Sequence, residues 1–326
     1  MKKVKRIALA GLVVLIILIS FSAHAEEGGS GHYMPGGAAS FVDAIPGKEG
    51  PAIANYFTYY SGKTDRSKQL PYGGSASAGL DATAYVDTIL AFYKTPLTLL
   101  GGKYTVAAAI PFVWATVSAD TKLVGPRGST IASNNAKDSD GGIGDILIYP
   151  FMLGWTALGG DLRYDFRFGI YSPTGHYDKN SLANVGKNYW TFEPAVSVSW
   201  LSSKIGLEIS AFAGLDFNTQ NDDTKYQSGD QFHAELTIAQ HLPLFGGLIG
   251  LGANAFYYQQ ISADSGTGAT LGDFKGRTSG VGPVLSYVTK VWGEKDLVAE
   301  IKWLPEIDVE NRLKGDYIWF KVGLSF

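Results

Sequence analysis

Asp316-Tyr317-Ile318-Trp319-Phe320-Lys321-Val322-Gly323-Leu324-Ser325-Phe326 is the stretch whose reading decides the fold. Side chains alternate across a β-strand, so Ile318, Phe320, Val322, Leu324 and Phe326 share one face. Tyr317, Trp319, Lys321, Gly323 and Ser325 share the other. The first face is wholly apolar and runs to the terminal residue. A strand on a water-facing sheet has no use for such a face. A transmembrane barrel has, because its outer face meets lipid and its last strand pairs with its first. Phe326, with Leu324 two residues before it, also has the form of the signal read by the bacterial barrel-assembly machinery.

Working back from this strand, alternation recurs. Leu162, Tyr164, Phe166, Phe168 and Ile170 oppose Asp161, Arg163, Asp165, Arg167 and Gly169. Leu207, Ile209, Ala211, Ala213 and Leu215 oppose Glu208, Ser210, Phe212 and Asp216. Phe232, Ala234, Leu236 and Ile238 oppose Gln231, His233, Glu235 and Thr237. Twelve strands are expected in all, at 52–61, 78–94, 103–118, 143–154, 160–171, 189–201, 204–217, 227–241, 247–261, 277–290, 296–309 and 316–326. The segment 143–154 is apolar on both faces and less decisive. Fourteen strands result if 119–142 or the amino-terminal segment adds a hairpin. The connections alternate long and short, and the long ones (61–77, 119–142, 172–188 and 262–276) are polar. Short periplasmic turns and long outer loops give a membrane barrel this rhythm. The fold class expected is therefore an all-β, antiparallel transmembrane barrel over residues 51–326, closed by the last strand.

The bulk composition agrees. The 326 residues carry a net charge of −3, which indicates neither a nucleic-acid binder nor an acidic tail. Charged residues make up only 17%, against about 25% in an average soluble domain. The 41 glycines and 13% aromatics suit tight turns and interfacial girdles. A mean hydropathy near zero excludes a polytopic helical protein but not a barrel, whose faces average out. With no cysteine there is no disulfide, zinc-thiolate site or thiol nucleophile.

At the other end, Lys2, Lys3, Lys5 and Arg6 precede an apolar run over 7–20 and then Ala23-His24-Ala25. This is the form of a cleaved secretory signal, too short to span a bilayer, so residues 1–25 are expected to be removed. Residues 26–50 are rich in Gly and Pro and have no period. They read as an ordered loop, a plug for the lumen containing His32, Tyr33 and Met34, or a flexible periplasmic leader.

Parity along the strands names the lumen side chains. Asp81, Asp87, Arg163, Asp165, Arg167, Glu193, Glu208, Asp216, His233, Glu235, Glu300, Lys302 and Lys321 are assigned inward. They form either a mutually neutralising wall network or a charged constriction. Tyr85, Phe212, Phe256, Tyr258, Tyr317 and Trp319 are assigned inward as well, either as packing or as the wall of a path for a small hydrophobic ligand. No metal-ligand spacing occurs, so neither a metal nor a cofactor is expected. No catalytic arrangement stands out; the loop residue His176 with Ser172 or Ser181 is the weak exception. An enzyme is therefore not expected.

Three motifs carry a family resemblance: Gly31-His32-Tyr33-Met34-Pro35-Gly36; Gly144-Asp145-Ile146-Leu147 running into Pro150 and Leu153-Gly154-Trp155; and Pro173-Thr174-Gly175-His176-Tyr177-Asp178, followed by Asn184-Val185-Gly186 and Tyr189-Trp190-Thr191-Phe192-Glu193-Pro194. In this order they resemble the outer-membrane family named after the meta pathway of phenol degradation, which includes the sphingosine-induced SphA-type transporters. The resemblance implies a channel for passive uptake of aromatic or other hydrophobic compounds. A less selective water-filled porin and a structural or enzymatic barrel are the alternatives. The partners expected are outer-membrane lipid and lipopolysaccharide, the assembly machinery and a small hydrophobic ligand, with no nucleic acid.

Overall fold

The structure, a computed structural model, describes residues 26–45, 48–69, 75–124, 128–270, 275–292 and 295–326. The expected signal peptide at 1–25 lies outside the described residues. Thirteen strands follow one another: β1 Gly50–Gln69, β2 Ser75–Leu99, β3 Gly102–Val124, β4 Thr130–Ile143, β5 Ile146–Ala157, β6 Leu162–Ser172, β7 Thr191–Leu201, β8 Leu207–Asn218, β9 Gln231–Leu244, β10 Gly247–Gln260, β11 Arg277–Val291, β12 Lys295–Glu310 and β13 Lys314–Ser325. All pairings are antiparallel. The ring runs β1, β2, β3, β5 and on in order to β13, which returns to β1. Closure runs from Ala52 opposite Ser325 to Lys63 opposite Lys314, so the strand quoted at the outset is the closing stave. Closing the ring removes the unpaired edges that lipid cannot solvate.

The thirteenth strand does not widen the ring. β5 pairs with the first part of β3, from Lys103↔Gly154 to Ala109↔Leu147. β4 pairs with the remainder, from Phe112↔Ile143 to Val124↔Thr130. β4 and β5 are thus one stave interrupted at Gly144-Asp145, and the barrel has twelve staves. Residues 119–124 and 130–142, expected within a loop, are built into the wall instead.

The outward face is the apolar one. Ile53, Phe57, Ile89, Trp114, Phe166, Val196, Ile238, Leu285, Ile301 and Phe320 are all exposed. An uninterrupted exposed apolar belt on a closed sheet fits a hydrocarbon surround.

The inward face is covered by the chain's own beginning. Residues 26–45 lie inside the barrel. Glu26 and Glu27 lie at the long-loop end: the Glu27 carboxylate accepts from Thr224 Oγ1 at 2.6 Å and Tyr177 Oη at 3.1 Å. Phe41, Asp43 and Ile45 lie at the short-turn end, where Phe41 meets His241 edge-on and Ile45 packs with Met152. The segment therefore threads the lumen lengthwise before β1 begins. It has no sheet partners, so its backbone groups are satisfied by side chains of the wall.

Candidate functional site

The lumen has two dissimilar walls. Strands β6 to β13 supply polar and charged side chains, nearly all buried against residues 26–45. On β9, Glu235 Oε1 accepts from Tyr33 Oη at 2.5 Å, from Gly36 N at 3.1 Å and from Ala38 N at 3.1 Å. On β12, Lys302 Nζ donates to the carbonyls of Gly36 at 3.2 Å and Ala38 at 3.0 Å. On β13, the Trp319 indole donates to Pro35 O at 2.9 Å. Gly36 has φ +86°, and a Cβ there would run into Leu304 and that indole, so only glycine lets the chain lie this close. Toward the short-turn end, Lys321 Nζ holds both carboxylate oxygens of Asp43, at 2.9 and 3.0 Å, and lies 3.3 Å from Glu300. Glu208 accepts from Phe41 N at 2.8 Å and pairs with His241 at 2.7 Å. At the opposite end Arg312 Nη1 lies 2.7 and 2.8 Å from the two Glu26 oxygens, and Tyr258 Oη donates to the same carboxylate.

Each of these bonds pairs a buried charge with a partner that would otherwise be orphaned, worth about 1.5–3 kcal/mol apiece for charged groups. Aromatic stacking adds to it. The Tyr33 ring lies parallel to His233 at 3.8 Å, and Phe212 is also near parallel to His233 at 5.7 Å. Arg167 is bidentate to Asp165, with both contacts at 2.7 Å, and stands 5.8 Å from the Phe212 ring centre.

The other wall is made by β1, β2, β3 and β5. Its inward positions are Ala82, Ala84, Val86, Thr88, Leu90 and Phe92 on β2, Ala109, Pro111, Val113 and Ala115 on β3, and Leu147 and Tyr149 on β5. These side chains are small or apolar and donate almost nothing to the segment. Between them and residues 27–38 and 43 lies a cavity of about 600 Å³, within the size range of small-molecule sites. Its lining follows eleven residues of β2, from Ala82 to Phe92, which is roughly 33 Å of strand.

The long-loop end of this cavity is covered by residues 181–187, which also line it. Acidic side chains on the broken stave hold them there. Asp138 Oδ2 accepts from the amides of Leu182 at 2.9 Å and Ala183 at 3.2 Å. Asp140 Oδ2 accepts from Val185 N at 3.1 Å and pairs with His176 at 3.1 Å. Asp145, at the break itself, takes Gly175 N at 2.9 Å, Lys187 N at 2.7 Å and His32 Nε2 at 2.9 Å. The backbone amides of Ala183, Ser139 and Leu182 hold the Asp138 carboxyl below its usual range.

The sequence assignments sort as follows. Phe212, Phe256, Tyr258, Tyr317 and Trp319 face inward and are buried. Phe212, Tyr317 and Trp319 touch the cavity; Phe256 and Tyr258 do not. Tyr85 is a correction: it is 45% exposed, lies against Phe57 and Tyr59 on the outer face, and the opposite parity of β2 lines the cavity. Asp81 and Asp87 share its parity and point outward too; Asp87 accepts from Asn55 Nδ2 at 2.5 Å. The error came from Asp81 and Asp87, which make that face of β2 the more polar one although it points outward. Asp165, Arg167, Glu208, His233, Glu235, Glu300, Lys302 and Lys321 are all buried on the inner face. Arg163 shares their face but sits exposed at the short-turn mouth. His32 and Tyr33 are held as described, and Met34 packs with the cluster of Phe256, Leu304, Tyr317 and Trp319.

Asp43, Glu26, Arg312, His241 and Asp145 were missed, as was the apolar lining of β2, β3 and β5. The first five become partners only through long-range contacts. The apolar lining is legible only once the inward parity of those strands is known. Glu193, Asp216 and His233 form one buried cluster whose donor atoms lie within 4.8 Å of one another. They are far apart in sequence, so no ligand spacing could reveal them.

Comparison with known proteins agrees with this architecture. An outer-membrane channel from Pseudomonas putida F1 superposes with a TM-score of 0.58 at 14% identity, covering 90% of this chain and all of that one. The β domain of the Bordetella autotransporter BrkA covers 86% of this chain and all of its own at 12% identity, with a TM-score of only 0.25. No curated protein sequence matches. The profile of a family described as "Putative MetA-pathway of phenol degradation" matches residues 61–322, and the chain belongs to that family.

Proposed function

We propose that this barrel is a passive outer-membrane channel for small hydrophobic or aromatic compounds, which move along the apolar wall while residues 26–45 plug the rest of the lumen. The observation that carries this reading is the cavity of about 600 Å³ between the plug and the β2–β3–β5 wall. Its lining is apolar along the strands, with Tyr56, Tyr149 and Tyr171 as polar-tipped aromatics. A water-filled porin has no need of such a wall, and the plug removes the polar one from use. Phe212, Tyr317 and Trp319 form the edge of the path; Asp165, Arg167, Glu208, Glu235, Glu300, Lys302 and Lys321 hold the plug rather than filter ions. No nucleotide motif is present in the sequence, so the solute's gradient drives uptake.

The supporting parts follow the same logic. A signal peptide at 1–25 delivers the chain, Phe326 and Leu324 recruit the assembly machinery, and the outward belt contacts lipid and lipopolysaccharide. A protease site inserted after Asn135 is expected to be cut on intact cells, and one after Ser202 is not.

The test is uptake of a panel of aromatics, alkanes and fatty acids by an outer-membrane-deficient strain carrying the gene, beside liposome swelling with sugars. Gene-dependent uptake of an apolar probe with little sugar swelling supports the reading. Rapid sugar swelling with no preference for apolar probes favours the porin alternative and would sink it.

A further inference from the structure

We propose that Glu193, Asp216 and His233 bind a divalent transition-metal cation of the zinc type. The three ligands come from β7, β8 and β9, and all are 0–2% exposed. His233 Nε2 stands 3.3 Å from Glu193 Oε1 and 3.3 Å from Asp216 Oδ1.

Those distances fit a shared ion better than hydrogen bonds. Charge-assisted N–H···O bonds are shorter, about 2.7–2.9 Å. Ligands arranged tetrahedrally around an ion at ~2.0–2.1 Å stand roughly 3.3 Å apart. A single Nε2 proton shared between two carboxylates makes only a weak three-centre bond, whereas its lone pair and theirs can converge on one cation.

Unpartnered atoms provide independent support. Among the described residues, Asp216 Oδ2 and both amide atoms of Gln231 are buried with no hydrogen-bond partner. Gln231 is fully buried and sits directly opposite Asp216 in the β8–β9 register, on the same inner face. Buried polar atoms are almost always paired, so several orphans beside one cluster point to a ligand. Space at the meeting point is preserved by Gly214. A Cβ there would approach His233 Nε2 to 2.8 Å and Glu193 Oε1 to 3.2 Å.

The charges agree as well. Two carboxylates with a neutral imidazole carry −2, which a dication cancels, and the nearby Arg167 is already committed to Asp165. An imidazole with two carboxylates is a donor set suited to zinc and its neighbours. The ion would tie three staves together and fix the His233 ring on which Tyr33 stacks at 3.8 Å. It would thus help hold residues 26–45 in place.

The experiment measures metal in full-length protein purified in detergent from outer membranes without chelator. The sample is incubated with Zn²⁺, buffer-exchanged and read by plasma mass spectrometry. Folding is checked by heat-modifiable mobility on gels. The expected result is one retained ion per folded chain, falling by more than about tenfold in Asp216→Asn and in His233→Gln. The exposed-loop variant His176→Gln keeps the wild-type content. A wild-type protein that retains no ion overturns the proposal, as does equal retention in folded Asp216→Asn. If the variants do not fold, Co²⁺ binding to wild-type protein decides. Visible absorption of four-coordinate Co²⁺ supports the site, and its absence sinks it. Neither readout depends on transport, so failure here leaves the uptake reading standing.

Discussion

The two walls of this lumen are built from the same kind of strand and do opposite things. From β6 to β13 the inner face carries charges, and Glu208, Glu235, Lys302, Arg312 and Lys321 among them hold the chain's own amino-terminal segment. From β1 to β3, and on β5, the inner face carries Ala, Val, Leu and Pro, and the segment stands off from it across a cavity. On the proposed reading, the difference lets a plugged barrel of twelve staves keep a path along one wall. Hydrogen bonds are directional and demand contact, so the polar wall binds what lies inside it. An apolar wall asks only to be kept from water, which a passing apolar solute does as well as packed protein.

If the polar wall is a clamp, breaking its strongest pair should have the largest effect. Lys321→Met leaves the Asp43 carboxylate buried without its cation, while Glu300 keeps only Lys302 at 3.2 Å. Removing one partner of a buried ion pair costs about 3–5 kcal/mol. The urea midpoint of unfolding should fall accordingly, and bilayer recordings should show a larger, noisier conductance as residues 26–45 loosen. An unchanged midpoint with unchanged conductance would mean that the segment is not held by this wall.

Tyr33→Phe is the next step down. It keeps the ring on His233 but removes the hydroxyl that donates to Glu235. A hydrogen bond to a charged group is worth about 1.5–3 kcal/mol, and the loss should lie near the lower bound. Glu235 Oε1 still has the amides of Gly36 and Ala38. A loss as large as that of Lys321→Met would show that the stack, not the charge lattice, carries the clamp.

The apolar wall should respond in the reverse sense, through transport rather than stability. Val113→Trp places an indole in the cavity that Val113 lines. Uptake of an apolar probe should drop about tenfold, roughly 1.4 kcal/mol of barrier, with little shift in the urea midpoint. The outward-facing Tyr85→Ala should leave uptake unchanged. If Tyr85→Ala matched Val113→Trp, the inward parity of β2 would be in error.

The same contrast explains what was readable in the sequence. On the polar wall, alternation is clean: Arg167 with Asp165, Glu208 with Ser210, and His233 with Glu235 each sit between apolar neighbours, so inward and outward could be told apart. On the apolar wall β3 is greasy on both faces over 106–115, and on β2 the face with Asp81 and Asp87 is the outward one, so the rule that places side chains points the wrong way. Tyr85 went to the wrong side for that reason, and Val86, Leu90 and Val113 went unremarked. The closing strand was readable because Lys321 marks its inner face. Residues 26–45 have no period at all, since their partners lie up to 286 positions away, as Arg312 does from Glu26. The continuation of the stave through 130–143 was hidden by its polarity: a strand that rises beyond the lipid has no apolar face to show.

That same polar stave supplies the smallest and most local test, at the mouth of the apolar side. Asp138 holds the amides of Leu182 and Ala183 over the cavity, and those amides, Ala183 first, depress its carboxyl. A carboxyl whose folded value lies below its unfolded one stabilises fully above the unfolded value, ~3.9 for Asp. The contribution fades as pH falls through the depressed folded value. Amide hydrogen exchange at Leu182 and Ala183 should therefore be protected alike at pH 7 and pH 5 and should lose protection only below about pH 4. Asp138→Asn should show the loosened state already at pH 7, with faster uptake of the apolar probe and the polar wall untouched. If protection survives both acid and Asp138→Asn, the cover over the cavity is held by something other than this carboxylate, and Asp140 with Asp145 become the groups to replace.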